Sequence, residues 1–312
     1  MILSSSFSRT GLGIYLGALF DAAVKGYVPT FLDRQRGQQL LITCDIGGSQ
    51  RNQRYETFAF LVLDLDRNSW WLRKQRQFRS LILPPPRRMA FKAMNDGVRR
   101  RALGPFLRLA NEIDGLLVTF AIEKIERPNF DLGDDFRREL GAIWKAVVAD
   151  RLLWVLHLCG FLVSGLASAG QDVMFIIDQD EVAANVMQLT KLTELFGRIC
   201  SNQPGPMIGH LRCGTTKSDD GSLAIEDLAA IPDLAAGAVG EFTAIMQRHG
   251  RGPLSRIIQQ LPSGMTWKTR EIMLWICNDD AALARITCII DSIPAGGTWR
   301  ATTARWHITH DV

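Results

Sequence analysis

Residues 152–169, LLWVLHLCGFLVSGLASA, contain no Asp, Glu, Lys or Arg. A stretch like this must be buried on every side, so it either crosses a bilayer, at the short limit of what can span one, or forms the central helix of a large core. His157, Gly160, Ser164 and Gly165 weaken the first option, and the strand-like QDVMFIID follows at once. The stretch is therefore read as a buried helix and not as a membrane span. A chain of 312 residues is long enough to cover such a helix within one large domain.

The rest of the chain supplies the cover. QQLLITCDI and YETFAFLVLDLD read as strands, and the short polar turn GGSQRNQR between them makes the pair antiparallel. SWWLRKQRQF is expected as a third strand, after which Pro84 to Pro86 interrupt any regular element. The stretch from Met89 to Ile113 has helical spacing, with a break expected at Gly104-Pro105. GLLVTFAIEK is a strand, a helical region from about Asp134 leads into the apolar run, and VMFIID is a strand again. EVAANVMQLTKLTELFGRI is helical, MIGHLRC extended and TTKSDDGS a loop; LAIEDLAAIPDLAAGAVGEFTAIMQRHG is helical, starting or kinking at Pro232. The expected class is α/β, a mixed sheet flanked by helices. Residues 1–38 read as an N-terminal helical extension, 39–250 as the main domain and 251–312 as a separate C-terminal α+β extension.

The six cysteines form no close pair, and MILSSSFSRT does not resemble a cleavable leader, so a reduced, cytoplasmic protein is expected. The net charge of +4 conceals a polarity: Arg34 to Arg108 carry 16 Lys and Arg against 5 Asp and Glu. Such a concentration of cations points to a polyanionic partner, most simply nucleic acid. The run WWLRKQRQFRSLILPPPRR interleaves Trp70, Trp71 and Phe78 with cations, which suits either a nucleic-acid groove or a strand with buried rings and outward Arg. The nucleic-acid contacts expected in the basic region are Arg51, Arg54, Arg73, Lys74, Arg76, Arg87 and Arg88.

Three aspartates occupy comparable positions. Asp45 ends the first strand, Asp178 ends VMFIID, and Asp233 lies in the Ala-rich segment IPDLAAGA. Each has a simpler role available: Asp45 as a turn former before Gly47, Asp178 as a helix cap, and Asp233 as a residue favoured near a helix start. If the two strands are neighbours and the helix crosses their edge, however, the three carboxylates meet. Carboxylates that close repel unless a cation neutralises them, and hard oxygen donors select Mg²⁺ or Mn²⁺, which suits phosphodiester chemistry.

On these residues the chain resembles the bacterial domain of unknown function 3800 family, which is similar to ribonuclease H in fold. CDIGG and TFAFLVLD resemble the family's opening strands, AFK at Ala90 to Lys92 stands at its Glu-x-Lys element, and MFIID and IPDLAAGA resemble its late strand and helix. The likeness runs from about Leu40 to His249. It implies a ribonuclease H-like fold, with Asp45, Asp178 and Asp233 as metal ligands and catalytic residues and Lys92 beside them. It further implies a Mg²⁺- or Mn²⁺-dependent nuclease acting on RNA or DNA. Ile46 and Ala90 stand where the family carries Glu. A fourth acid must then come from Glu56, Asp180, Glu181 or Glu226, or else the chain is a catalytically inactive nucleic-acid-binding or assembly subunit, of the kind found in defence or mobile-element systems. Protein partners would engage the terminal extensions. The metal-like spacings His210-x-x-Cys213 and His307-x-x-His310 lack a partner set, and Walker, Rossmann and nucleophile-elbow motifs are missing.

Overall fold

The structure, a computed structural model, describes residues 37–48, 53–124, 130, 133–249, 261–278, 281–293 and 298–304. The expected N-terminal helix, Arg51, His307 and His310 lie outside these. The strands are β1 (Gln39–Gly47), β2 (Tyr55–Asp64), β3 (Gly115–Glu123), β4 (Asp172–Ile177), β5 (Leu211–Thr215), β6 (Ala284–Ile293) and β7 (Thr298–Ala304). They form one seven-stranded mixed sheet in the order β5-β4-β1-β2-β3-β6-β7. β1, β2 and β3 are successively antiparallel, β4 runs parallel to β1, and β5 runs parallel to β4. This is the α/β class expected from the sequence, a mixed sheet flanked by helices. β6 runs parallel to β3 and carries β7 antiparallel on its outer side, so these strands continue the main sheet.

Helices cover both faces of the sheet. Leu40, Ile42 and Cys44 of β1 and Phe58, Phe60 and Val62 of β2 face α3 (Asp134–Gly141), α4 (Ala146–Leu166) and α5 (Val186–Asn202). Leu41, Ala59, Leu61 and Leu63 face α1 (Ser69–Leu81), α2 (Gly97–Ala110), α6 (Ala224–Arg248) and α7 (Trp267–Ile276). With two covered faces, β2 is buried along its whole length and reads as a continuous apolar run instead of an alternating one. The uncharged stretch that begins at Leu152 is the body of α4. Leu152, Trp154, Leu156 and Leu158 lie in the core, and most of the helix is inside the protein.

Three local expectations are corrected. SWWLRKQRQF is a helix and not a strand: Trp71, Gln75, Phe78 and Arg79 are buried at helical spacing, and the Trp71 indole N–H donates to the Leu109 carbonyl at 3.1 Å. Its Lys, Arg, Gln and Leu content favours helix over strand. Helix α2 passes unbroken through Gly104-Pro105, because Gly104, Arg101 and Arg108 make this its exposed flank, where a missing bond costs least. Helix α6 begins at Ala224 and runs through Pro232. A proline N cannot donate to the carbonyl four residues back. Here Thr43 Oγ1 of β1 donates to that Leu228 carbonyl instead, at 3.1 Å.

Candidate active site

The bond from Thr43 to α6 is the first of three contacts along one face of β1. Alternate residues of a strand share a face, so Thr43, Asp45 and Gly47 all point at α6. Thr43 holds the Leu228 carbonyl. Asp45 reaches the Asp233 carboxyl, close enough for each to act on the other's ionisation. At Gly47 the helix backbone comes closest: a Cβ there would lie 2.5 Å from the Ala236 carbonyl oxygen and 2.5 Å from Thr57 Oγ1. Thr57 itself donates to the same Ala236 carbonyl at 2.8 Å. Gly48, at φ +70°, turns the chain beside Gly240. The Gly-Gly pair after Asp45 therefore allows α6 to lie against the strand end, which is what brings Asp233 to Asp45.

Asp178 arrives from the neighbouring strand. The parallel β1–β4 register pairs Cys44 with Ile177, so the next residues, Asp45 and Asp178, stand side by side at the strand ends. Thr216 Oγ1 donates to Asp178 Oδ1 at 2.8 Å, and the Gln179 N–H donates to the same oxygen at 2.8 Å, which fixes that carboxylate. Lys92 comes from a single 3₁₀ turn, Phe91–Ala93. Within that turn the Phe91 N–H donates to Asp233 Oδ2 at 2.6 Å, while its ring occupies the space left by Gly237.

Asp45, Asp178, Asp233 and Lys92 all line one cavity of about 900 Å³, and Arg88 lines it too. One face of α6 forms a wall, through Glu226, Ala229, Ala230, Asp233, Gly237 and Ala244. Burial pushes the Asp45 carboxyl well above the usual carboxylate range, and the Asp233 charge pushes it further. Burial raises Asp233 as well, against the pull of the Phe91 N–H, Asp45 and Lys92. Two buried carboxyls this close disfavour each other's ionisation, because each charge raises the cost of the second.

Of the four acids considered as a fourth ligand, Asp180 and Glu226 line the cavity, whereas Glu56 is buried in an ion pair with Arg151 at 2.9 Å and Glu181 is exposed. Burial raises the carboxyls of both Asp180 and Glu226. Glu226 is 8% exposed and pairs with Arg88 at 2.9 Å. Its neighbour Asp227 points elsewhere, into a buried ion pair with Arg79 supported by Gln75. Among the described residues, no three His, Cys, Asp or Glu side chains close into a metal cage. Cys213 is half-buried with its thiol pushed up to about 11 by burial, which makes it a poor ligand for the His210 spacing.

The basic region is dispersed. Among the described residues, Arg88 alone of the expected nucleic-acid contacts reaches the cavity. Arg54 pairs with Glu123 at 2.6 Å, Arg87 lies 3.5 Å from Asp96, and Lys74 pairs with Glu112 while lying over the Trp70 ring. Arg73 and Arg76 are on the exposed face of α1. Trp71 and Phe78 are core residues, so of the two readings of that run the one with buried rings holds for them. Sequence reasoning missed Thr216, Glu241, Arg248 and Lys268, all of which line the cavity. The helical spacing from Asp233 could have signalled Glu241; nothing local marks Lys268.

No family model matches the chain, and no curated protein matches it. Among solved structures it is similar to a chain of the PCNA:RNase HII complex from Archaeoglobus fulgidus, at 14% identity and a TM-score of 0.31, over 79% of this chain and 93% of that one. At that score the likeness carries no functional argument.

Proposed function

We propose that the chain is a divalent-metal-dependent nuclease of the ribonuclease H-like type, hydrolysing phosphodiester bonds in RNA or DNA with Mg²⁺ or Mn²⁺. The observation that carries this reading is that the buried carboxyls Asp45 and Asp233 line one cavity with Asp178, Arg88 and Lys92. The donor chemistry suits a hard cation, although among the described residues the carboxylates do not close into a cage: the oxygens are carboxylate oxygens, and a cation would offset the repulsion within the buried pair. Asp45, Asp233 and Asp178 would hold the metal, and Glu226 is the acid that could make up for Ile46 and Ala90. Bound there, the ion would polarise the phosphodiester and lower the pKa of a water. The chain's own contributions are distinct. Thr216 holds the Asp178 carboxylate in one orientation, Phe91 does the same for Asp233, and Lys92 and Arg88 supply positive charge for phosphate oxygens.

The test is cleavage of single- and double-stranded RNA and DNA with Mg²⁺ or Mn²⁺. Activity lost in both Asp45→Ala and Asp178→Ala supports the assignment, and activity unchanged in both overturns it. The open arrangement of the acids, with Ile46 and Ala90 at acidic family positions, favours a second reading: a nucleic-acid-binding subunit without catalysis. Binding without cleavage under every metal condition would select that reading.

A further inference from the structure

Lys268 enters the carboxylate cavity from α7, a helix outside every motif of the family resemblance. Its ammonium donates to the Phe91 carbonyl at 3.0 Å and sits 3.9 Å from the centre of the Phe91 ring. The N–H of that same Phe91 donates to Asp233. One residue thus sets the spacing between a cation and the buried carboxyl pair. Among the described residues Lys268 has no carboxylate at ion-pair distance. Glu241, which lines the same cavity, instead accepts the Thr266 N–H at 3.3 Å. An ammonium carries three donors, and the Phe91 carbonyl takes one of them. A half-buried cation without a counter-ion, steadied by a carbonyl and a ring, is an anion-binding group.

We infer that Lys268 binds a backbone phosphate of the nucleic acid and so sets the register of the strand against Asp45 and Asp233. This rests on the nuclease or nucleic-acid-binding reading above and adds to it a phosphate contact from the C-terminal segment. Arg88 is tied to Glu226 and Lys92 is exposed, whereas Lys268 is held by both the carbonyl and the ring of Phe91. Lys268 is a positioning residue: it acts on where the strand lies.

The experiment measures binding of fluorescein-labelled single strands and duplexes of about 12 nucleotides, with Ca²⁺ present to hold off hydrolysis, over roughly 50–200 mM salt. Lys268→Gln is expected to weaken binding about 5- to 10-fold and to lower the slope of log affinity against log salt by about one. Lys268→Arg should restore both, since it keeps the charge and the ring contact. Lys191→Gln, at a lysine engaged by Glu139 and Glu194 on α5, should change neither. If wild-type protein binds and Lys268→Gln binds with the same affinity and slope, the inference falls and the functional reading stands. A lower melting temperature with an unchanged salt slope means that Lys268 is purely structural, and also overturns the inference. Wild-type protein that neither binds nor cleaves any of the probes overturns both.

Discussion

Gly47→Ala tests the contact on which the site depends. An added Cβ would lie 2.5 Å from both the Ala236 carbonyl oxygen and Thr57 Oγ1. Ordinary contact begins near 3.4 Å, so helix and strand must part by about 0.9 Å. The obstructing carbonyl belongs to the α6 backbone, and no rotamer change removes it. Overpacking of this kind costs about 1–3 kcal/mol. Breaking the bond from Thr57 to the Ala236 carbonyl adds about 1 kcal/mol. The expected loss is roughly 2–4 kcal/mol, a fall in melting temperature of about 3–6 °C for a chain of this size. Scanning calorimetry measures it, with Gly141→Ala as the control, because nothing lies within 4 Å of a Cβ at Gly141. Cleavage by the folded Gly47→Ala protein should fall by about 10²-fold, since a shift near 1 Å separates Asp233 from Asp45. A variant that melts with the wild type and keeps its activity would refute the close-approach account of the Gly-Gly pair.

Two further outcomes follow from buried charge. The raised carboxyls of Asp45 and Asp233 hold a proton that the unfolded chain releases above about pH 4, so this pair's contribution falls as pH rises from there through the folded pKa values. Metal-free Asp45→Asn should therefore melt above the wild type at pH 8, with the gain shrinking towards pH 4; a gain independent of pH would contradict the raised carboxyls. Asp227→Ala strips the partner from buried Arg79 and should destabilise by about 3–5 kcal/mol in urea unfolding, whereas an effect below about 1 kcal/mol would mean that Arg79 finds another acceptor.

Much of this architecture could be read along the chain. The uncharged run could only be a core helix or a span, and the strands at 39–47, 55–64, 115–123 and 172–177 carry their apolar and β-branched residues in unbroken runs. Where the reading failed, a local pattern had two solutions. In SWWLRKQRQF, the adjoining aromatic rings of Trp70 and Trp71 suit a strand, while Trp71, Gln75 and Phe78 keep helical spacing; packing of Trp71 against Leu109 decides between them. The prolines of α2 and α6 look like breaks because a sequence does not reveal that one lies on an exposed flank, or that a threonine from β1 receives the freed carbonyl of the other.

The site divides in the same way. Asp45 and Asp178 at strand ends, and Asp233 in a small-residue helix, were visible because strand termini and helix faces are periodic features of a sequence. That the three share a cavity depends on the parallel β1–β4 register and on the approach of α6 over Gly47. The separation of Glu226 from Asp227, one facing Arg88 in the cavity and the other bound to Arg79 in the core, follows from the 100° turn between consecutive helical residues, once the helix is docked. Lys268 lies 35 residues beyond Asp233 and reaches it through Phe91, a residue 142 positions before that aspartate. Local sequence determined the elements and their chemistry; the long-range register and the docking of α6 decided which charges meet, because those depend on contacts between residues far apart in the chain.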